Sequence, residues 1–365
     1  MTDDIYMQRA LELGRKGMGH TSPNPPVGAV VVKGRKIIGE GYHKKAGTPH
    51  AEVHALRKAG KRAAGATLYV TLEPCCHFGR TPPCTDAIIQ AGIKRVVVGA
   101  IDPNPIVNRK GIKTLCAAGI EVKTKVLEKQ CRDLIRHYAH FMQTGMPYVT
   151  CKVALSLDGK LATATGESKW ITGPKARRFA HDLRAKCDAI LIGKSTARLD
   201  DPRLTVRLGA KEKIKHAVIV DSAFDVPLRL HVFDRGDVTL ATTNRTSADK
   251  MQLAQAKGMD VLCLPQDKNG RVDLIELMKA LGQKGITSLL VEGGGELIAG
   301  LVKLKLIQRF AVAIAPIFIG GCGRDVLPGL NLKTLAEALR LKDVEVKRFG
   351  DDVVMEGEVV CSLGL

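Results

Sequence analysis

Aromatic residues are scarce in this chain, which has one Trp, five Tyr and eight Phe among 365 residues. No run of lysine and arginine is interleaved with aromatics, so the sequence lacks the stacking platform typical of single-strand nucleic-acid binding. No apolar run approaches the roughly 20 residues that cross a bilayer, and the first residues lack the basic and apolar regions of a signal peptide. These absences predict a globular, cytoplasmic protein without a membrane partner, and they do not favour nucleic acid as its partner.

Positive charge is in excess, with 56 Lys and Arg against 37 Asp and Glu and a formal net charge of +19. Residues 1–146 contribute +12 (23 basic against 11 acidic residues), and the remainder contributes +7 (33 against 26). Such a surface suits phosphorylated small substrates as well as nucleic acid, so charge alone does not decide between them. The ten cysteines of a cytoplasmic chain are expected to be ligands and free thiols rather than a disulfide framework.

The length suggests two domains, each large enough for its own core. Strand and helix patterns alternate in both halves, which predicts α/β domains in which helices cover a sheet. A single helix is predicted from Glu128 to Met142, and a new strand pattern starts at Tyr148. We therefore place the domain boundary between residues 1–146 and 147–365, without a low-complexity linker.

The densest chemistry lies between His50 and Cys84. One imidazole and two thiolates, from His50, Cys75 and Cys84, fill three positions of a tetrahedral zinc and leave the fourth for water. Zinc brings the pKa of that water towards neutrality, and Glu52 is close enough in sequence to carry protons without being a ligand. A single His or Cys is usually structural, but the joint pattern matches the H-x-E…P-C signature of zinc-dependent nucleobase deaminases.

Neighbouring residues fit the zinc site less well. Phe78 stands where the common Pro-Cys-x2-Cys version has its second cysteine, so the spacing here is Cys-x8-Cys. Cys76 adjoins a ligand but is expected to point elsewhere. His54 shares a helix face with His50, but the order His-Ala-Glu-Val-His is not that of a zinc-protease helix. We expect His54 to lie in the core or behind the ligands.

A glycine-rich turn in the second half is a candidate phosphate site. A predicted strand at residues 287–291 runs into Glu-Gly-Gly-Gly-Glu at 292–296 and then into a helix. Such a turn places free backbone N–H groups where a phosphate can bind, and glycine lets the backbone approach the ligand. The pattern is not the G-x-G-x-x-G dinucleotide fingerprint, so an ordinary loop remains an alternative.

Two sets of motifs resemble one known family. Thr-Leu-Glu-Pro-Cys at 71–75 and Gly-Arg-Thr-Pro-Pro-Cys at 79–84, with Pro-Asn-Pro upstream, resemble the deaminase half of the bifunctional riboflavin-biosynthesis deaminase/reductases. The motifs at 153–159, 170–172, 200–207 and 291–294 resemble the reductase half of the same enzymes. The resemblance covers nearly the whole chain. It implies a cytidine-deaminase-like α/β/α domain followed by a dihydrofolate-reductase-like α/β domain.

The resemblance also implies cofactors and residue roles. Zinc would serve the first domain and NADPH the second, with Lys152 and Asp200 handling the proton during reduction. The NADPH site would comprise Ala154, Trp170, Thr196, Asp200, Ser222, Gly293, Gly294, Gly295, Glu296 and Gly300. The substrate would be bound by Asn24, Ser168, Arg184, Leu204, Arg207 and Glu292.

Each of these roles has a plainer alternative. Asn24 could stabilise its own turn, Trp170 could be a core aromatic, and Arg184 and Arg207 could be solvated charges instead of bidentate phosphate ligands. No single residue announces whether NADPH or NADH is preferred.

The activity implied by the resemblance has two steps on one small molecule. Zinc-activated water would deaminate 2,5-diamino-6-ribosylamino-4(3H)-pyrimidinone 5′-phosphate, and NADPH would then reduce the ribosyl group to ribityl. We expect the enzyme to be a homo-oligomer. Three alternatives remain open: a tRNA base deaminase with an accessory nucleotide-binding domain, a non-catalytic regulator on a deaminase scaffold, and a deaminase with an inactive reductase half.

Overall fold

The computed structural model describes residues 3–79, 81–210 and 212–360. The chain divides into two compact units, Met1–Met146 and Pro147–Leu365. Arg80, within the motif at 79–84, lies outside the described residues. No helix in the described ranges combines the length and apolar character needed to cross a membrane.

The first unit alternates strands and helices as the sequence predicts. Its elements are α1 (Asp3–Arg15), β1 (Gly28–Lys33), β2 (Lys36–Tyr42), α2 (Ala51–Ala59), β3 (Thr67–Leu72), α3 (Cys84–Gln90), β4 (Arg95–Ala100), α4 (Lys110–Ala117), β5 (Glu121–Lys123), α5 (Glu128–Leu134) and α6 (Arg136–Thr144), with a 3-10 turn at Gly60–Ala63.

These strands form one sheet in the order β2-β1-β3-β4-β5. β1 is antiparallel to β2 and β3, whereas β3, β4 and β5 are parallel. β1, β3 and β4 are buried along nearly their whole length, which explains the valine runs of β1 and β4 and the mostly apolar residues of β3. Gly41 lets α2 lie close to β2, because a Cβ there would be 2.3 Å from the Ala51 carbonyl oxygen.

One helix prediction in this unit is wrong. The segment from Glu128 to Met142 is not a single helix, because Ile135 has φ −103° and ψ 12° and separates α5 from α6. No glycine or proline marks this break in the sequence. Tyr138 on α6 is buried, and its hydroxyl donates to the Asp102 carboxylate at 3.1 Å.

 In the part of the second unit that the structure describes, ten strands and five helices follow the first strand. The first strand of the second unit within the described residues is β6 (Tyr148–Leu155). The elements after β6 are β7 (Lys160–Ala162), α7 (Pro174–Lys186), β8 (Ala189–Gly193), α8 (Lys194–Asp200), β9 (His216–Val220), β10 (Val238–Thr242), α9 (Ala248–Ala256), β11 (Asp260–Cys263), α10 (Leu274–Gln283), β12 (Ser288–Val291), α11 (Gly295–Lys303), β13 (Arg309–Ile314), β14 (Arg324–Asp325), β15 (Leu341–Phe349) and β16 (Asp352–Val359), with 3-10 turns at His231–Arg235 and Leu335–Glu337.

Most of these strands join one sheet in the order β11-β10-β9-β8-β12-β6-β13-β16-β15. The strands from β11 to β13 in this order run parallel, and β16 and β15 add an antiparallel edge. Because carboxyl ends of parallel strands meet at one edge, the segments following β6, β12, β8, β9 and β10 lie side by side there. This edge is where a ligand is expected in such a sheet.

Candidate metal centre and coenzyme cavity

His50, Cys75 and Cys84 come together in the first unit. Their ligand atoms all lie within 4.8 Å of one another. The His50 Nδ1 atom is 3.2 Å from the Cys84 Sγ and 3.5 Å from the Cys75 Sγ. Ligands of one tetrahedral zinc are separated by roughly 3.6 Å, given Zn–S near 2.3 Å and Zn–N near 2.0 Å. The three side chains therefore fit a zinc ion held through Nδ1 of the histidine.

Local structure explains how these ligands converge. His50 is the N-cap of α2, and Cys84 is the first residue of α3. Cys75 follows the carboxyl end of β3, and its sulfur accepts the Cys84 backbone N–H at 3.4 Å. Two helix N-termini thus face the cluster and favour negative charge there. The hydrogen bond from the Cys84 thiol, assisted by His50, lowers the pKa of Cys75 despite burial, and the same hydrogen bond raises the pKa of Cys84, so the negative charge of the pair lies on Cys75.

Glu52 lies in the first turn of α2 and is 3% exposed. Burial raises the pKa of its carboxyl group, and the nearby His50 acts in the opposite direction. A buried carboxyl group of this kind can exchange a proton near neutral pH. Its position beside the three ligands is what a proton carrier requires.

His43 was not anticipated from the sequence, and it connects Asn24 to the cluster. Its ring is 2% exposed and packs edge-on against the His50 ring, with 5.1 Å between the centroids. The His43 Nε2 lies 3.2 Å from the Asn24 Nδ2, and its Nδ1 lies 3.3 Å from the Pro49 carbonyl oxygen. The Asn24 side chain is therefore engaged by His43. Only the position of His43 directly after β2 could have drawn attention to it.

Glu73 is a second residue whose importance the sequence did not reveal. Its carboxylate is 3% exposed. One oxygen accepts the backbone N–H groups of Asp102 (3.3 Å) and Arg109 (2.9 Å), and the other accepts that of Ile112 (3.2 Å). Glu73 therefore ties the start of α4 to the segment that carries Cys75.

Three other cysteine and histidine side chains close in sequence to the metal ligands do not belong to the cluster of ligand atoms. Cys76 and His77 are half-buried and do not belong to the group of ligand atoms around His50. His54 is half-buried on α2, and its buried Nε2 has no hydrogen-bond partner among the residues that the structure describes. None of these three is needed to complete the zinc site.

In the second unit, one cavity of about 2100 Å³ runs along the carboxyl edge of the parallel strands. Every residue that the sequence assigned to the coenzyme, substrate or proton transfer in this half lines it. They are Lys152, Ala154, Ser168, Trp170, Arg184, Thr196, Asp200, Leu204, Arg207, Ser222, Glu292, Gly293, Gly294, Gly295, Glu296 and Gly300.

A buried ion pair marks one end of this cavity. The Arg184 guanidinium donates from Nε to the Glu292 Oε1 at 2.6 Å and from Nη2 to Oε2 at 2.9 Å. The two side chains are 14% and 11% exposed, so Arg184 is not a solvated surface charge. Burial lowers the pKa of the Lys152 ammonium nearby, and Glu292 opposes that shift. A lysine with a lowered pKa is a suitable proton donor.

The other residues that the sequence assigned to the substrate in this cavity differ in their surroundings. Arg207 is exposed, and its backbone N–H lies 3.3 Å from the Nδ1 of His181, a histidine that the sequence did not single out. Leu204 is 2% exposed and belongs to the core as well as to the cavity wall. Ser168 donates its hydroxyl to the Asp200 Oδ1 at 3.0 Å.

Trp170 is not a core aromatic. It is 67% exposed, and the Arg177 guanidinium carbon lies 4.6 Å from the centroid of its ring. An exposed indole on a cavity wall can cover a flat ligand.

The glycine-rich turn fits a pyrophosphate. Gly294 is the N-cap of α11 and offers no side-chain cap, so the first N–H groups of the helix are free to bind an anion. A Cβ on Gly295 would lie 2.4 Å from the Asp325 carbonyl oxygen, so no larger residue fits there. A Cβ on Gly294 would lie 3.6 Å from the Thr196 Oγ1, which places that hydroxyl beside the turn. The cavity therefore has the cradle that a dinucleotide coenzyme needs.

Comparison with family models matches both halves. Residues 147–355 match the model described as RibD C-terminal domain. Residues 1–100 match the model of the cytidine and deoxycytidylate deaminase zinc-binding region.

Similarity to individual proteins extends over the full chain. The riboflavin biosynthesis protein RibD of Aquifex aeolicus is 45% identical over 97% of this chain and 97% of its own length. That of Escherichia coli is 42% identical over 97% of this chain and 99% of its own.

Solved structures agree with these relatives. Acinetobacter baumannii RibD (form 1) has a TM-score of 0.89 at 39% identity and covers 98% of this chain and 99% of its own. A diaminohydroxyphosphoribosylaminopyrimidine deaminase/5-amino-6-(5-phosphoribosylamino)uracil reductase of Thermotoga maritima has a TM-score of 0.84 at 34% identity, with 98% coverage of both chains.

Proposed function

This chain belongs to the RibD family and is a bifunctional deaminase and reductase of riboflavin biosynthesis, and we propose that its substrate is 2,5-diamino-6-ribosylamino-4(3H)-pyrimidinone 5′-phosphate. The expected fold is confirmed in both halves, a cytidine-deaminase-like domain followed by a dihydrofolate-reductase-like domain. The single observation that carries the substrate proposal is that one chain combines a cluster of metal-ligand atoms in its first unit with a cavity in its second unit lined by the residues proposed for coenzyme and ribotide. Residues 1–146 would hold the deaminase site and residues 147–365 the reductase site.

In the deaminase step, His50, Cys75 and Cys84 would hold zinc, which when bound makes water acidic enough to react near neutral pH. Glu52 would accept the proton of that water and pass it to the departing amine, so that ammonia leaves. Its burial and raised pKa support this role, because the group must both take and release a proton. Asn24, held in place by His43, would contact the pyrimidine.

In the reductase step, NADPH would supply, when bound, the hydride that reduces C1′ of the ribosyl group. A proton must then reach the ring oxygen for the ring to open to ribityl. Lys152 would make this transfer, because burial lowers the pKa of its ammonium group although the nearby Glu292 opposes that shift. Asp200, whose carboxylate accepts the Ser168 hydroxyl, would position the nicotinamide ring. Arg184 and Arg207 would bind the ribotide phosphate.

A coupled assay on zinc-loaded protein tests this assignment. Ammonia release and the absorbance of NADPH would be followed together with the diamino-pyrimidinone ribotide as substrate. Glu52→Gln is expected to stop ammonia release while zinc content stays unchanged, and Glu12→Gln on the surface serves as the matched control. The Glu52 variant should still oxidise NADPH when it is given the deaminated intermediate.

Other outcomes of the same assay contradict parts of the proposal. Ammonia release without NADPH oxidation would remove the reductase role from residues 147–365. If neither signal is seen with the parent protein, the substrate assignment is wrong. Undiminished ammonia release by the Glu52 variant would remove Glu52 from the deaminase mechanism.

The proposal includes a cytoplasmic homo-oligomer that does not act on nucleic acid. Light scattering after size-exclusion chromatography tests the assembly. Incubation with a tRNA pool at moderate salt tests the nucleic-acid alternative, because tight binding that weakens steeply with salt would contradict a small-molecule enzyme.

A further inference from the structure

Two arginines stand at the end of the cavity far from the Arg184–Glu292 pair. Arg245 follows the carboxyl end of β10, and Arg271 follows β11; both line the cavity and both are exposed. Glu292 follows β12, which is separated from β10 by β8 and β9. Since neighbouring strands lie about 4.8 Å apart, the two ends are roughly 14 Å apart across the sheet. A dinucleotide lying on the glycine-rich turn could reach from one end to the other.

Hydrogen bonds hold these two arginines at one corner. The Arg245 Nη1 donates to the Gly270 carbonyl oxygen at 3.3 Å. The backbone N–H of Arg271 donates to the Asp267 Oδ1 at 2.9 Å, and the Asp267 N–H donates to the Arg271 carbonyl oxygen at 2.7 Å. The closed turn from Asp267 to Arg271 is thus tied to the loop after β10. In addition, the Val272 N–H donates to the Ser222 Oγ at 3.0 Å, which connects the turn to the carboxyl end of β9.

The carboxylates of Asp267 and Asp273 at this corner already accept hydrogen bonds from backbone N–H groups. Burial would raise the pKa of Asp267, but the N–H groups of Arg271 and Asn269 outweigh it and lower that pKa. Asp273 accepts the N–H groups of Ile275 and Glu276 as the N-cap of α10.

Arg271 and Arg245 retain capacity to bind an anion. Arg271 has an exposed ion pair with Glu296 at 3.5 Å, and such a pair is weak enough for a stronger anion to displace. Arg245 has no carboxylate partner among the described residues. The corner therefore offers two guanidinium groups, while the carboxylates of Asp267 and Asp273 accept backbone N–H groups of their own turns.

We propose that Arg245 and Arg271 form the subsite for the 2′-phosphate of the adenosine ribose and so select NADPH over NADH, an inference that rests on the proposed coenzyme site. A carboxylate at this place would accept the 2′-hydroxyl of NADH, whereas an arginine accommodates the 2′-phosphate. The loop after β10, Thr243-Asn244-Arg245-Thr246, carries no carboxylate. Guanidinium binds phosphate through paired, charge-assisted hydrogen bonds.

Calorimetric titration of the full-length protein with adenosine 2′,5′-bisphosphate and with adenosine 5′-monophosphate tests the subsite without any catalytic step. The parent should bind the bisphosphate roughly 10- to 100-fold more tightly, as expected for one or two charge-assisted hydrogen bonds. Arg245→Ala should remove most of this preference and leave monophosphate binding within about twofold. Arg245→Lys should keep part of it, and Arg271→Ala should show a smaller loss. Arg229→Ala, an exposed arginine of the same unit that does not line the cavity, is the matched control.

Kinetics supply a second readout. The ratio of kcat/KM for NADPH to that for NADH should fall in Arg245→Ala by the same factor as the binding preference, with the KM for the ribotide unchanged. A preference that survives both alanine variants, or an equal loss for both adenosine ligands, overturns the subsite. If the parent binds neither ligand and oxidises neither coenzyme, the proposed coenzyme site itself is wrong. A parent that oxidises NADPH and NADH equally keeps the proposed function but refutes the selection by Arg245 and Arg271.

Discussion

Glu73→Gln is expected to destabilise the first unit because the buried Glu73 carboxylate accepts three backbone N–H groups at once, one of them buried and two partly buried. An amide has only one oxygen, so at least one of these donors would face an NH2 group, whichever way the amide is placed. A buried donor without an acceptor costs about 1–3 kcal/mol. The lost negative charge at the start of α4 adds up to ~1 kcal/mol. We therefore expect a loss of about 2–4 kcal/mol.

Thermal unfolding of zinc-loaded protein measures this loss. For a domain of this size each 1 kcal/mol shifts the unfolding temperature by about 2–4 °C, so the first transition should fall by roughly 5–15 °C. Hydrogen exchange should accelerate at the start of α4 and in β3. Zinc should also pass faster to a colorimetric chelator, since Cys75 lies only two residues from Glu73.

Glu121→Gln is the matched control for this substitution. Glu121 is 65% exposed and pairs with Arg95 at 2.9 Å, and an exposed pair of this kind contributes less than about 1 kcal/mol. If the two glutamine variants differ by less than about 0.5 kcal/mol, the three hydrogen bonds do not stabilise the domain as argued.

Three other perturbations have defined outcomes. Arg184→Met should cost the second unit about 3–5 kcal/mol by leaving Glu292 charged and buried, and adding Glu292→Leu should restore more than half, measured by hydrogen exchange of β12. Asp3→Asn should cost about 1–2 kcal/mol at pH 7 in urea unfolding. Burial would raise the pKa of Asp3, but hydrogen bonds from Arg95, Lys123 and Tyr69 hold it well below its usual value. Its stabilisation is therefore present above the unfolded pKa of about 3.9 and is lost as the pH falls through the folded pKa, so the variant should approach the parent below pH ~4. Removing zinc with a chelator should lower only the unfolding temperature of the first unit and leave oxidation of NADPH by the deaminated intermediate intact.

The sequence was sufficient for features encoded by neighbouring residues. Apolar runs predicted β1, β3 and β4, and the fixed spacing of Cys75 and Cys84 identified side chains that the fold does bring together. Sequence was not sufficient where a role depends on contacts between distant segments. His43 contacts Asn24 nineteen residues away, and Arg184 pairs with Glu292 108 residues away.

The broken helix shows a different limit. Ile135 ends α5 although neither it nor its neighbours is a residue that commonly ends helices. Tertiary packing around Tyr138 and Asp102 accompanies the break, and no local propensity reports such packing. The corner formed by Arg245 and Arg271 is likewise invisible in sequence, because it exists only once β10 and β11 are neighbours in the sheet.

Trp170 is the chain's single tryptophan, and it stands on the wall of the second unit's cavity beneath the Arg177 guanidinium. Its emission therefore reports from one active site of a two-site enzyme. A coenzyme that covers the indole or moves Arg177 should change the fluorescence, and the reduced nicotinamide can accept energy from an excited indole nearby. The first unit, which contains the candidate metal centre, has no tryptophan in its sequence. Trp170 is thus an intrinsic fluorescent probe for the reaction proposed for the second unit.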